Sequence, residues 1–195
     1  MRSVNLDRFF ALRHAVATRP GRYAINGVNV RPDGSCAATD GRMLFVTEGD
    51  ERSSDDALEG ASPEKPLTIS LASVKDAKRL YKPRRFGPQD ALHFNGKATM
   101  RAEAGASSLT MREEDGEFPD LNVVMPQGEA RFRITLNADL IDNLCKLVKE
   151  ASYGDPPTFT LELTEQNMKD ADCKTAIRVV IDEHTRGAVM PVVKA

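Results

Sequence analysis

The sequence has little cysteine, no long apolar run and no large excess of charge of one sign. Its 195 residues contain 27 Lys and Arg against 29 Asp and Glu, a formal net charge of −2. That balance excludes a protein that is basic over its whole surface, although it still allows a local basic face. No stretch approaches the ~18 apolar residues of a membrane span, and Asp7, Arg8 and Arg13 interrupt the N-terminal stretch. We therefore expect neither a membrane partner nor a signal peptide.

The three cysteines, Cys36, Cys145 and Cys173, are far apart, odd in number and never arranged as CxxC. This pattern argues against a disulfide scaffold and against a zinc finger. Reduced thiols are the simplest interpretation, and they predict a cytoplasmic protein.

Motifs of catalysis and cofactor binding are missing as well. The sequence holds no P-loop, GxGxxG or GxSxG. His14, His93 and His184 have no Ser, Cys or carboxylate at a catalytic spacing, so we interpret each as a surface or helix-face histidine. Asp170 and Asp172 lack the further oxygen ligands of a calcium loop and are assigned to a solvated loop. We expect no enzymatic activity, no metal and no cofactor.

What the sequence does contain is a globular composition, with 41% hydrophobic and 29% charged residues, and internal repetition. At about 150 residues per domain, its length predicts one or two domains. The tripeptide at 124–126 recurs at 189–191, and the one at 69–71 recurs loosely at 134–136, each 65 positions later. Since 195 is three times 65, we interpret the chain as three similar repeats.

The repeats share one predicted order of elements, a helix followed by three antiparallel strands, usually with a strand in front. Asn5 is the predicted cap of a helix over about 5–18, Ser73 of one over about 74–82, and Asn137 of the third. The apolar face of the third helix consists of Leu140, Ile141, Leu144, Leu147 and Val148. The predicted strands cover about 22–31, 35–39, 42–47, 67–71, 90–95, 98–104, 107–113, 131–136, 158–164, 175–182 and 187–193.

Two irregular places interrupt this order. The alternation of apolar residues slips at Asn26-Gly27, which predicts a bulge or a tight turn. Residues 48–66 are acidic and rich in Ser, Gly and Pro, and we interpret them as a solvated connector. The fold class expected from the whole pattern is α+β, with helices on one face of antiparallel sheets.

The second helix is basic along one stripe. Lys75, Lys78, Arg79 and Lys82 are spaced i, i+3, i+4 and i+7, opposite an apolar face, and Arg84 and Arg85 extend the stripe. A solvated helix face and a track for DNA phosphates explain this charge equally well. The stripe has no interleaved aromatic residues for stacking on single strands, so the functional alternative is binding to duplex DNA without base recognition.

Several motifs together resemble a known family. The segments at 22–27 (RYAING), 38–44 (ATDGRML) and 116–120 (GEFPD) resemble signatures in the middle domain of the bacterial DNA polymerase III β subunit, the sliding clamp. The VMP at 124–126 follows as it does in that domain, and the AVMP at 188–191 is similar to the close of the family's last domain.

The resemblance implies a fold and a domain organisation. Each clamp domain consists of two βαβββ half units, with helices around the DNA hole and sheets outside. Residues 1–126 resemble a complete middle domain, with the acidic connector inside it, and residues 127–195 resemble a single half-domain. The chain thus corresponds to about half a clamp subunit, a DNA-clamp fold built of three half units.

The resemblance also implies a groove that binds short peptides of polymerases and other replication proteins. The matching positions here are Thr39, Gly41, Leu44, Pro119, Val124, Met190 and Pro191. Ordinary strand and turn packing is the alternative explanation for each of them. Arg42, Met43 and Val192 replace the family's His, Arg and Met, which leaves the peptide preference open.

An odd number of half units leaves one without a partner. Exposed sheet edges favour pairing, so we expect the last half unit to pair with that of a second chain, with four chains supplying six domains. The alternative is a monomer in which this half unit folds back on the first domain.

Two functions compete at this point. The first is a non-enzymatic, sliding-clamp-like protein that associates with duplex DNA and presents the groove to replication partners. The second is a non-ring peptide-binding module that competes for those partners without encircling DNA. An enzyme of DNA or nucleotide metabolism is a distant third hypothesis.

Overall fold

The computed structural model describes residues 2–19, 21, 23–51, 62–81, 91–94, 98–102, 107–129, 133–151, 156–169 and 175–192. The chain divides into an N-terminal unit, Met1–Pro126, and a C-terminal unit, Gln127–Ala195. Both contain antiparallel sheets and helices, so the predicted α+β class is confirmed. Within these ranges, no helix has the length and apolar character needed to cross a membrane.

The first half of the N-terminal unit begins with strand β1 (Arg2–Ser3) and helix α1 (Leu6–Ala11), which tightens into a 3₁₀ turn at Leu12–Ala15. Asn5 caps α1 as predicted, because its side-chain oxygen accepts the backbone N–H of Arg8 at 3.0 Å. The predicted helix over 5–18 is too long. The chain turns to extended backbone at Val16, a buried β-branched residue.

A five-stranded sheet of order β10-β6-β2-β3-β4 joins the two halves of this unit. Its strands are β2 (Gly27–Val30), β3 (Cys36–Thr39), β4 (Leu44–Thr47), β6 (Leu67–Ser70) and β10 (Glu113–Glu114). The slip in the pattern at Gly27 marks a close approach of strands. A Cβ at this position would lie 2.1 Å from the carbonyl oxygen of Ile69 on β6.

Helix α2 (Leu71–Leu80) directly follows β6 and begins three residues before the predicted start. The predicted cap, Ser73, is wrong. The Ser70 hydroxyl accepts the N–H of Ser73 at 3.3 Å, whereas the Ser73 hydroxyl accepts the N–H of Arg112 at 2.8 Å. The strands β7 (Ala91–Phe94), β8 (Ala98–Ala102) and β9 (Ser107–Thr110) then form an antiparallel sheet.

One hydrophobic core serves both halves of the N-terminal unit. Phe9 and Phe10 of α1, Val28 of β2, Ile69 of β6 and Val74 of α2 are all fully buried in a single cluster. Helices α1 and α2 contact each other, so both cover the same side of the five-stranded sheet.

The C-terminal unit contains helix α4 (Ala138–Ala151), capped as predicted by Asn137, whose side chain accepts the N–H of Asp139 at 2.7 Å. Its sheet has the order β11-β12-β13 and consists of β11 (Thr160–Glu162), β12 (Ile177–Val180) and β13 (Arg186–Val189). Ile177, Val179 and Val189 form a small buried core.

The secondary structure differs from the predicted elements in three further respects. Residues 133–136, part of the strand expected over 131–136, form no strand, and a bond from the Val192 N–H to the Thr135 carbonyl at 2.7 Å holds them on one side. Part of the expected connector is strand β5 (Asp50–Glu51), which pairs with β1, whereas 52–61 lie outside the described residues. Two short helices were not predicted, α3 (Leu121–Val124) and α5 (Glu165–Lys169).

Candidate functional site

Helix α2 carries the described part of the basic stripe. Val74 and Ala77 are buried in the core, and this fixes the rotation of the helix. Lys75 and Arg79 lie on its exposed side as a result. Lys82, Arg84 and Arg85 lie outside the described residues.

Lys78 does not project freely with its neighbours in the stripe. It is half-buried, and its Nζ lies 5.3 Å from the ring centre of Phe10 and 4.7 Å from that of Tyr81. These are cation–π distances. The ammonium group of Lys78 is therefore part of the contact between α1 and the end of α2, besides any contact with a ligand.

Arg79 has a partner within its own helix. Its Nη1 lies 3.0 Å from Asp76 Oδ1, and the two side chains are 79% and 56% exposed. An exposed pair of this kind contributes at most about 1 kcal/mol and is screened by salt. A phosphate group can therefore replace Asp76 at little cost.

The ATDG segment forms a tightly bonded turn between β3 and β4. The Thr39 hydroxyl donates to the Met43 carbonyl at 2.7 Å and accepts the Gly41 N–H at 3.0 Å. Hydrogen bonds from the N–H groups of Met43 and Arg42 hold the pKa of the Asp40 carboxyl below its ordinary value. Gly41 adopts φ +90°, a conformation that favours glycine. The turn places Leu44 half-buried at the start of β4.

Strand β4 also presents exposed apolar side chains that were not among the predicted groove residues. It is the edge strand of its sheet, and Phe45 is 56% exposed beside exposed Met43 and Val46. The available signal was the run of apolar residues at 43–46, which leaves apolar groups on both faces of an edge strand.

The FPD segment is hydrogen-bonded to the RYAING segment and continues into α3. The Ala24 N–H donates to the Glu117 carbonyl at 3.0 Å. Pro119 lines a cavity of about 830 Å³ whose lining also includes six acidic residues. Asp120 caps α3 through a 2.9 Å bond from the Asn122 N–H, and this short helix leaves Val124 50% exposed.

In the C-terminal unit, Met190 lies 54% exposed at the end of β13 and Pro191 follows it, half-buried. Met190 lines an apolar groove of about 410 Å³ together with Leu140, Leu144 and Leu147 of α4. The predicted groove residues are thus divided between the units. Thr39, Gly41, Leu44, Pro119 and Val124 belong to the N-terminal unit, and Met190 and Pro191 to the C-terminal unit.

The described histidines and cysteines form no reactive centre. His93 is buried in β7 with its Nε2 unpaired, so the expectation of a surface or helix-face histidine is wrong there. Leu92 and Phe94 on either side of it are buried as well, so neither face of this strand is open to solvent. Burial raises the pKa of the Cys36 thiol to about 12. Across the described ranges, no three His, Cys, Asp or Glu side chains are placed to hold a metal ion. Asp170, Asp172 and Cys173 lie outside those ranges.

Comparison with known proteins finds similarity to bacterial sliding clamps. No protein-family model matches the chain. The chain is 28% identical to the beta sliding clamp of Caulobacter vibrioides in each of two strains, NA1000 / CB15N and CB 15. The alignment covers 87% of this chain and 47% of the clamp. The chain therefore spans about half the length of the curated relatives it matches.

Solved structures show the same relationship in three dimensions. The C. crescentus beta sliding clamp matches with a TM-score of 0.68 and 23% identity, over 100% of this chain and 50% of the clamp. The Bacillus subtilis sliding clamp matches with 0.65 and 16% identity over 97% and 48%. The clamp from Bartonella birtlesii, bound to griselimycin, matches with 0.67 and 16% identity over 97% and 50%. The predicted DNA-clamp fold and the resemblance to β subunits are confirmed.

Proposed function

We propose that this shortened relative of bacterial sliding clamps is a non-enzymatic clamp-like protein that associates with duplex DNA through α2 and presents a peptide groove to replication proteins. The similarity in fold to clamps over the whole chain carries the proposal. A bacterial protein that associates with DNA and replication proteins acts in the cytoplasm, so the proposal includes a cytoplasmic location. Ring formation requires several copies, so the proposal includes homo-oligomerisation through the C-terminal unit.

Support for the DNA-binding part comes from the exposed cations of α2. Lys75 and Arg79 are exposed on one helix, and Lys82, Arg84 and Arg85 follow in the sequence. Contacts of such side chains with phosphates are independent of sequence and weaken steeply with salt.

The DNA-binding part is tested by charge reversal. Lys75→Glu with Arg79→Glu should lower the affinity for a fluorescent duplex at least ~10-fold at low salt and flatten its dependence on salt. Lys65→Glu with Lys169→Glu makes the same change of charge at exposed residues away from α2 and serves as the control. Equal losses in the two double variants would contradict a specific role of α2.

The peptide groove draws support from the exposed apolar side chains near its predicted residues. Val124 and Met190 are both at least half exposed, and apolar groups with this exposure provide binding energy when a partner covers them. Phe45 and Val46 on β4 add further exposed apolar surface to the same unit as Leu44.

The groove is tested with a labelled peptide from the clamp-binding segment of a bacterial replicative polymerase. Met190→Asp should weaken binding ~10-fold or more, as should Leu44→Asp. Met168→Asp is a matched control, because Met168 is an exposed methionine of α5 outside the predicted groove. Unchanged binding in both groove variants would refute this groove.

The second candidate function is a peptide-binding module without a ring. The observation that favours it is the modest exposed charge of α2, where Lys78 lies over aromatic rings and Arg79 pairs with Asp76. Peptide binding by a chain with no affinity for duplex DNA at low salt would favour this candidate over the first.

A further inference from the structure

The first strand after the helix is an exposed sheet edge in the C-terminal unit but not in the N-terminal unit. β2 and β11 are each the first strand after the helix of their half unit. β2 lies between β6 and β3, and its four residues are buried. Strand β7, which follows α2, pairs only with β8 among the described residues, but its Leu92, His93 and Phe94 are buried. Among the described residues β11 pairs only with β12, and its three residues are exposed. An edge of this kind presents unpaired backbone groups to an incoming strand.

The segment that would fill this edge is present in the same unit. Residues 134–137, Ile-Thr-Leu-Asn, precede α4 as residues 67–70, Leu-Thr-Ile-Ser, precede α2. In each case the last residue caps the helix. Strand β6 has β10 on one side and β2 on the other. The segment before α4 has the bond from Val192 on one side, so its other side corresponds to the side of β6 that pairs with β2.

The helix of the C-terminal unit also lacks a packing partner for part of its apolar face. In the N-terminal unit α1 and α2 together cover the sheet, and the rings of Phe10 and Tyr81 meet at 5.0 Å. In the C-terminal unit the apolar side chains of α4 are incompletely covered, with Leu140 45% and Leu147 50% exposed. On the sheet, Leu161 faces the same way as buried Val179, its direct partner on β12, yet is 36% exposed.

We infer that a second copy of this chain covers these surfaces through a two-fold contact between C-terminal units. The segment at 134–136 of each copy pairs with β11 of the other, and the two α4 helices pack side by side as α1 and α2 do. Each copy donates and receives the same elements, so the contact closes on itself. The inference deepens the homo-oligomer of the proposed function by naming the surfaces that meet.

Light scattering after size exclusion, at two concentrations, tests the contact. The wild-type chain should have the mass of an even number of 21.4 kDa chains. Leu140→Glu with Leu147→Glu should reduce it to a single chain. Asn143→Glu with Lys149→Gln, which makes the same change of charge at exposed polar residues of α4, should leave it unchanged. A monomeric wild type, or an even-numbered assembly that survives the double substitution, would overturn the inference.

Hydrogen exchange of the wild type provides a second test that does not depend on a variant that folds. Backbone amides at 134–136 and 160–162 should exchange at least ~10-fold more slowly at a concentration where the mass is even than in dilute solution. Fast exchange at both segments in the assembled state would place the contact elsewhere. Equally slow exchange in a monomer would show that another part of the same chain protects these segments. Either result would overturn the inference.

Duplex binding by α2 separates the two proposals. It is measured on the same wild-type sample with a short linear duplex, which needs no ring. Retained salt-sensitive binding by a monomer would remove the two-fold contact and leave the DNA-binding proposal in place. An assembled wild type that does not bind the duplex would remove the DNA-binding proposal and leave the two-fold contact in place.

Discussion

The two units use similar elements but differ in how completely they bury them. Among the described residues, the N-terminal cluster holds eighteen buried apolar side chains and the C-terminal cluster three. Two helices cover the N-terminal sheet, whereas one helix with a half-exposed apolar face serves the C-terminal sheet. The C-terminal unit therefore forms its secondary structure with much less buried apolar surface than the N-terminal unit.

Truncation of a buried isoleucine should give the largest difference in stability loss between the two units. Ile69 and Ile177 are 0% and 1% exposed. Ile69→Ala leaves a cavity that its many neighbours cannot fill and should lower the free energy of unfolding by about 4 kcal/mol. Ile177→Ala should cost about 2 kcal/mol, because the small C-terminal cluster can collapse around the gap. Denaturant-dependent hydrogen exchange, resolved by peptide, measures each unit separately. Equal losses would show that the two cores are equally rigid.

Substitution of alanine for one strand glycine in each unit should give the next largest difference in stability. A Cβ on Gly27 would meet the Ile69 carbonyl oxygen at 2.1 Å, whereas one on Gly187 has nothing within 4 Å. Gly27→Ala should therefore destabilise the N-terminal unit by about 3 kcal/mol, since the sheet must shift. Gly187→Ala should change stability by less than about 1 kcal/mol and can raise it by restricting the unfolded chain. Chemical denaturation of both variants measures this. A tolerated Gly27→Ala would contradict the close contact of β2 with β6.

Removal of the two helix caps should give a smaller difference in stability loss between the units. Asn5 accepts the Arg8 N–H and also donates to Asp50 Oδ2 at 2.6 Å. Asn137 makes only backbone contacts at the start of α4 among its described hydrogen bonds. Asn5→Ala should cost about 2 kcal/mol and Asn137→Ala about 1 kcal/mol. Asp50→Asn provides the control, since it should weaken the side-chain link and keep the cap. A larger loss from Asn137→Ala would reverse this ranking.

The smallest effect should come from two turn carboxylates in equivalent positions. Backbone N–H bonds hold the pKa of Asp40 and of Asp182 below the ordinary value of an aspartate. The carboxylate form therefore stabilises each turn above the unfolded pKa, and this contribution is lost as the pH falls through the folded pKa. We expect weak acid destabilisation of both units, which carbon-detected NMR titration measures group by group. A titration midpoint at or above the ordinary aspartate value for either group would contradict the bonded turn.

Local chemistry made much of this fold predictable. The caps Asn5 and Asn137 followed from side chains placed just before an apolar period, and the α4 helix followed from its five apolar residues. The choice of Ser70 over Ser73 as a cap did not, because it depends on the N–H of Arg112, 39 residues away. Local patterns decide an element, whereas distant backbone groups decide its first residue.

The candidate site was less predictable for the same reason. The spacing of Lys75, Lys78 and Arg79 indicated one uniform stripe, but the ring of Phe10 on α1 lies beneath Lys78. Such a contact depends on tertiary packing between helices far apart in the sequence. The ATDG turn was located correctly because its hydrogen bonds are formed within five residues, whereas the exposure of Phe45 depends on the position of β4 at the sheet edge.

The buried thiol of Cys36 has a practical consequence. Because the thiolate is the reactive form and its pKa is raised to about 12, alkylating reagents can modify Cys36 only when the N-terminal unit opens. Cys145 of α4 is only partly buried and reacts without such opening. Cys36 and Cys145 can therefore serve as two chemical labels, of which Cys36 reports the opening of the N-terminal unit and Cys145 reacts while that unit stays folded.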